Sequence, residues 1–133
     1  QGYTWSPIAS VPGAHGVEYV GEGRFAALGE YCNFWLEEEG WQECQVPVEV
    51  CNRPDDYPSD RRFHPPSVRG LAVCQEHVLV DLGKRDLWLG PASCAAEGWQ
   101  QVDLGGVGVP QVAGSSDGLW VLQEGQLWWR SCP

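Results

Sequence analysis

The sequence contains an internal repeat, which constrains the fold more than any other feature. Moving the last third of the chain back by 94 residues, without a gap, places Trp99 on Trp5 and Trp129 on Trp35. Moving the middle of the chain back by 53 residues places Trp88 on Trp35. A repeated unit of this size cannot cover its own apolar face, so the copies must pack on one another.

Three copies span about 5–36, 41–89 and 99–130, and the second carries an insert at about 46–66. Within each copy, short apolar runs are separated by turn residues, and the chain holds 17 Gly and 10 Pro. Short strands between such turns are typical of all-β folds. We therefore predict a single all-β domain over 1–133 with three four-stranded repeats. A β-propeller-like fold would have three blades, or six by dimerisation. A β-trefoil, in which threefold hairpins close a barrel, is the alternative.

Two stretches carry a resemblance to a known family. The third copy, with GLWVLQEGQLWWR at 118–130, resembles the repeat of tectonin-type β-propeller lectins. The first copy, with GEGRFAALG at 21–29, is similar to the related repeats of sialidase-like propellers. The resemblance implies a ring of five or six blades that binds sugars or bacterial surface glycans.

The six cysteines indicate an oxidising compartment. No C-x-x-C pair occurs, and an even number of scattered cysteines in a short chain is typical of secreted proteins. We expect three disulfides and a secreted, extracellular protein, with 15 possible pairings left open. The disulfide cysteines are Cys32, Cys44, Cys51, Cys74, Cys94 and Cys132.

The charge excludes one class of partner. The chain has 18 acidic and 8 basic residues, for a net charge of −10. Nucleic-acid binding needs clustered Lys and Arg, so no nucleic-acid partner is expected. No apolar run reaches the roughly 20 residues of a membrane-spanning helix, so we predict that the chain does not span a membrane.

The eight tryptophans suggest carbohydrate binding, because sugar rings stack on exposed indole faces. Trp120 and Trp128 break the repeat, and Trp120 is predicted to point away from the strand face shared by Leu119 and Val121. The candidate ligand-binding residues are Trp120, Trp128, Trp35 and Trp88.

The insert offers a second kind of site. The loop at 51–66 is rich in Pro and is flanked by cysteines. Tyr and Arg are frequent anchors of protein interfaces. The candidate protein-binding residues are Tyr57, Arg61, Arg62 and Phe63.

No catalytic motif is present, and we expect no enzyme activity, no catalytic residue, no metal and no cofactor. The predicted function is that of a secreted, non-catalytic, lectin-like recognition module that binds carbohydrate. The alternative is a secreted protein-binding ligand, adhesin or inhibitor acting through the 51–66 loop. The expected partner is a glycan or a secreted or cell-surface protein, and a homodimer is compatible with the repeat number.

Overall fold

The computed structural model describes residues 4–21, 23–51, 67–83, 87–105 and 108–133, without the side chains of residues 48 and 49. Within these ranges, eleven strands form three separate antiparallel sheets, and one four-residue helix accompanies them. The predicted all-β class is confirmed. In each sheet, strands that follow one another in the sequence are neighbours, as in a meander.

The three sheets follow one another along the chain. The first sheet contains β1 (Ala14–Gly21), β2 (Arg24–Gly29), β3 (Asn33–Glu37) and β4 (Trp41–Gln45), and α1 (Val48–Cys51) follows it. The second sheet contains β5 (Gly70–Cys74), β6 (His77–Asp81), β7 (Leu87–Pro91) and β8 (Gln100–Val102). The third sheet contains β9 (Gln111–Gly114), β10 (Gly118–Gln123) and β11 (Gln126–Ser131).

The strand positions relate the sheets to the repeat. β2, β6 and β10 begin at Arg24, His77 and Gly118, which are separated by the same 53 and 94 residues that align the sequence. The tryptophan at the start of a predicted copy lies elsewhere. Trp41 begins β4 of the first sheet, and Trp99 directly precedes β8 of the second. The strand that opens each of these copies is thus the fourth strand of the preceding sheet.

The third sheet departs from the gap-free alignment by one residue. In the first sheet Ala27 pairs with Trp35, and the corresponding residue of β10, Val121, pairs with Trp128. The position of Trp35 is therefore occupied by Trp128 and not by Trp129. The reason is the tight two-residue turn between β10 and β11, which makes this connection one residue shorter than that between β2 and β3.

The second sheet lies between the other two. One apolar core joins the first and second sheets and includes the fully buried Phe34 and Val80. Another joins the second and third sheets and includes Leu79, Leu119 and Val121. The first strands β1, β5 and β9 contact one another pairwise, so the sheets converge on a common axis. The described strands pair within sheets only, unlike the closed barrel of a β-trefoil.

The six cysteines form three disulfides, which confirms that prediction. They join Cys32 to Cys51, Cys44 to Cys94, and Cys74 to Cys132. The bond from Cys44 links β4 to the connection after β7, and so ties the first sheet to the second. The bond from Cys74 links the end of β5 to the residue after β11, and so ties the second sheet to the third.

Candidate functional site

A pocket of about 300 Å³ opens where the first strand of each sheet turns into the second. We call it the axial pocket. Val20, Val73 and Gly114 contribute one residue from each sheet to its wall. Its polar side chains are Arg24, Gln75, Ser115 and Ser116. Every sheet therefore contributes to a single depression, which none of the sheets could form alone.

The three turns around the axial pocket occupy corresponding positions in their sheets but differ in sequence. In the first sheet Gly21 has φ +98°, a conformation that glycine adopts without strain. The Gly23 N–H donates to the Tyr19 hydroxyl at 2.9 Å. In the third sheet the Ser115 hydroxyl accepts the N–H groups of Asp117 and Gly118, both at 3.2 Å. Such local bonds fix the turns before any ligand arrives.

Two polar side chains of the axial pocket are held in place by neighbouring groups. The Arg24 Nε–H donates to the Glu37 carbonyl at 3.1 Å, and its guanidinium lies 3.8 Å from the Glu38 carboxylate. The Gln75 side-chain amide donates to the Ser116 carbonyl at 3.1 Å. This second bond joins a turn of the second sheet to a turn of the third. The pocket thus presents donors and acceptors on a largely pre-formed frame.

The tryptophans predicted as a sugar platform do not all lie together. Trp120 is 39 % exposed, whereas its neighbours Leu119 and Val121 are buried. Trp120 pairs across the sheet with Trp129, and their ring centroids lie 6.1 Å apart. Trp128 pairs with the buried Val121 and so points to the other side of β11. It lines an apolar cleft between the second and third sheets, and Trp129 also borders this cleft. Trp120 and Trp128 therefore cannot form one platform, because alternate residues of a strand face opposite ways.

The other two candidate tryptophans lie closer to the core. Trp35 is buried, with 8 % of its surface exposed. Trp88 is half-buried and packs against the core between the first and second sheets. The position of Trp35 does not suit the stacking of a sugar ring, because little of its indole face is open. Trp88 also lines, with Trp99, a separate pocket of about 460 Å³.

Trp129 is the exposed aromatic residue that the sequence alignment misassigned. The gap-free alignment places it on Trp35, which is a buried residue of the first sheet. The two-residue turn between the paired residues Gln123 and Gln126 is the feature that would have placed Trp129 correctly. With that turn, Trp129 falls opposite Trp120 on the outer face of the third sheet.

The outer face of the third sheet is apolar. We use this name for the face that carries Trp120, Leu122, Leu127 and Trp129, which are 39–59 % exposed. A sugar also needs hydrogen-bond partners, and the large exposed side chains of this face supply mainly apolar surface. Contiguous apolar surface of this kind is typical of protein contacts. The polar axial pocket suits a saccharide better.

The predicted protein-binding residues Tyr57, Arg61, Arg62 and Phe63 lie outside the described residues. Among the residues that the structure describes, no group of three or more His, Cys, Asp or Glu side chains is placed to hold a metal ion. No helix in the same part of the chain has the length and apolar character needed to cross a membrane.

Two partly buried carboxylates lie near the start of β5, away from the axial pocket at its end. Glu18 Oε2 accepts the Leu71 N–H at 3.1 Å, and Asp81 Oδ1 accepts the Gly83 N–H at 2.8 Å. Burial raises the pKa of both carboxyl groups above their ordinary values of 4.5 and 3.8. The negative charge of Asp81 raises the pKa of Glu18 further.

These raised pKa values predict a stability that decreases as pH increases. The folded chain holds the two protons more tightly than the unfolded chain does, because burial disfavours the charged carboxylates. From about pH 4 up to the raised pKa values, the free energy of unfolding should therefore fall with rising pH. Urea titrations at several pH values will measure this slope. Glu18→Gln keeps an oxygen acceptor and should flatten it, whereas Glu30→Gln, on the exposed surface, should leave it unchanged. An equal slope in all three proteins would contradict the assignment.

Comparisons of the chain with protein-family models, with curated proteins and with solved structures find no match.

Proposed function

We propose that this protein is a secreted, non-catalytic recognition module that binds carbohydrate in the axial pocket. One observation carries the proposal. The turns of three sheets converge on one depression whose walls are partly apolar and whose rim is polar. Sugars present hydroxyl groups around an apolar ring face, and sites for them combine these two kinds of surface.

The size and charge of the axial pocket favour a small neutral sugar. Its volume of about 300 Å³ lies at the lower end of the range for ligand sites. Glu38 lies beside the Arg24 guanidinium and offsets its charge. The net charge of −10 would also repel an anionic glycan. We therefore propose that a neutral mono- or disaccharide, or the end of a longer neutral glycan, is the ligand.

An oxidising, extracellular compartment fits the three disulfides. Three disulfides among six cysteines leave no described cysteine free. Such bonds form and persist in oxidising compartments.

The experiment is a glycan array followed by calorimetry on the best ligand. Gln75→Ala should weaken binding about tenfold, since one hydrogen bond to a ligand contributes roughly 1–1.5 kcal/mol. Gln42→Ala, on the exposed surface of β4, is the matched control and should bind as the wild type does. Trp120→Ala should also bind normally. Full binding by Gln75→Ala, or loss of binding only in Trp120→Ala, would place the site outside the axial pocket.

Protein recognition is the second candidate function, and the apolar outer face of the third sheet favours it. The partner would be a secreted or cell-surface protein. The contribution of the 51–66 loop stays a prediction. Shortening that loop and measuring binding to a candidate protein would test it, and unchanged affinity would exclude the loop as the contact.

A further inference from the structure

One edge of the third sheet differs from the corresponding edge of the other two sheets. The first and second sheets each have a fourth strand beside the third, whereas β11 has no described strand on its outer side. The Cys132 N–H donates to the Asp117 carbonyl at 3.1 Å, next to the ladder between β10 and β11. Because backbone groups alternate along a strand, Trp128 and Arg130 direct theirs towards β10, and Leu127 and Trp129 direct theirs outwards. An open edge of this kind is a template for another strand.

The chain contains a segment that matches the missing strand. Trp5 aligns with Trp41 and Trp99, which stand at the start of β4 and directly before β8. Yet the segment at 4–10 forms no strand, and Trp5 and Ile8 are 94 % and 92 % exposed. Within the described residues, the segment with the sequence of a fourth strand and the sheet that lacks such a strand therefore both remain without a strand partner.

The pairing of β3 with β4 gives the register that this segment would adopt. Trp41 pairs with Glu37, whose place in the third sheet is taken by Arg130. The same register sets Trp5 opposite Arg130 and Ile8 opposite Leu127. The Ile8 side chain would then cover Leu127, which is 59 % exposed.

Proline at position 7 fits this register. Pro7 would lie opposite Trp128, whose backbone groups are directed towards β10. A residue opposite such a position directs its own N–H away from the partner strand, towards solvent. Proline lacks this N–H, so it removes no hydrogen bond from an edge strand at this position. A register shifted by one residue would place Pro7 where a donor is required.

The contacts favour a second copy of the chain as the source of this strand. Within one chain, the residues that follow the segment are held on the first sheet. The Ala14 N–H donates to the Val11 carbonyl at 3.2 Å, and Gly13 lies against the Trp35 ring. The segment therefore leaves the first sheet at a fixed point and pairs with no described strand of its own chain. A second copy can bring its β11 edge to the segment without any change in this anchor.

The local charges allow two copies to approach. The net charge of each copy is −10, but neither 4–9 nor 126–131 contains an acidic residue. Arg130 is the only charged residue of the two segments. The self-repulsion of the two acidic copies is therefore not concentrated at this contact.

We propose that residues 5–9 of a second copy add to β11 as a fourth antiparallel strand, and that the exchange is reciprocal within a twofold dimer. The contact lies on β11, whereas the axial pocket is lined by the turns after the first strands. The proposal therefore does not rest on carbohydrate binding, and either can fail alone.

An engineered disulfide tests the register and the source of the strand together. Residues 9 and 126 would face each other as a non-hydrogen-bonded pair, at a distance that suits a disulfide. After mild oxidation of Ala9→Cys/Gln126→Cys, we expect a covalent dimer in which the new bond joins two copies. Mass spectrometry of a mixture of ¹⁴N- and ¹⁵N-labelled chains identifies bonds between copies. Ser10→Cys/Gln126→Cys is the matched control and should yield little dimer.

The outcomes separate the alternatives. A bond within one chain, equal yields from the two variants, or no bond in protein whose three native disulfides are intact would each overturn the proposal. Light scattering of the unmodified chain gives an independent readout, with a dimer expected. Ile8→Asp should raise the dimer dissociation constant at least about tenfold, while Ser10→Asp should not. A wild-type monomer at all concentrations up to the millimolar range would also overturn it.

Discussion

Replacing both Cys74 and Cys132 by alanine is expected to lower the free energy of unfolding by about 4 kcal/mol. The bond between them spans 58 residues and ties the third sheet to the second. Without it, the unfolded chain gains the freedom of a long loop, and the folded chain loses the covalent link that holds the end of β11. Urea unfolding gives the size of the loss, and amide hydrogen exchange shows where protection is lost.

The matched control is Cys32→Ala/Cys51→Ala. That bond spans 19 residues and joins the residue before β3 to the end of α1. Its removal should cost about 3 kcal/mol and leave the protection of the third sheet close to that of the wild type. The Cys74 and Cys132 variant should instead exchange fastest in β9–β11. Equal protection of the third sheet in both variants would show that the longer bond does not hold it.

Replacing Phe34 by alanine is expected to cost about 3–5 kcal/mol. The Phe34 side chain is fully buried in the core between the first and second sheets. Alanine would leave a cavity there, and the bond between Cys44 and Cys94 limits how far the two sheets can move to close it. Thermal and urea unfolding both measure the loss.

Phe25→Ala is the control for the same change of side chain. Phe25 belongs to the neighbouring strand β2, but it is 43 % exposed and packs edge-on against Tyr19. We expect a cost of about 1 kcal/mol from the lost ring contact and the reduced burial. Similar losses for the two variants would contradict the placement of the core on the inner side of the first sheet.

The strands themselves could be predicted from the sequence, because each depends on local patterns. Turn residues set the ends of the strands, and the repeat aligned β2, β6 and β10 without a gap. The grouping of the strands into sheets could not be predicted in this way. Trp41 begins the second sequence repeat but lies in the last strand of the first sheet. Its strand pairs with the preceding strand, because the next sheet begins only after a long connection.

The exposure of the tryptophans was less predictable than their number. A change of one residue in the length of the connection before β11 exchanges the two faces of that strand. Trp128 then lies on the same face as the buried Val121, and Trp129 lies on the outer face beside Trp120. A gap-free alignment cannot register this change, because both residues are tryptophan.

The axial pocket was also beyond local sequence patterns. Its residues come from three turns that lie far apart in the chain, and no motif joins them. The repeat held the relevant information, however. Val73 and Gly114 lie 53 and 94 residues after Val20, so the three residues occupy corresponding places after alignment. Once the three first strands converge on one axis, corresponding turns must meet.

A non-reducing peptide map of the disulfides tests most directly whether the second sheet lies between the other two. Six cysteines allow 15 complete pairings. The expected result is Cys32 with Cys51, Cys44 with Cys94, and Cys74 with Cys132, so that covalent links run from the first sheet to the second and from the second to the third. A bond from Cys132 to a cysteine of the first sheet or α1 would join the outer two sheets directly and would contradict this order.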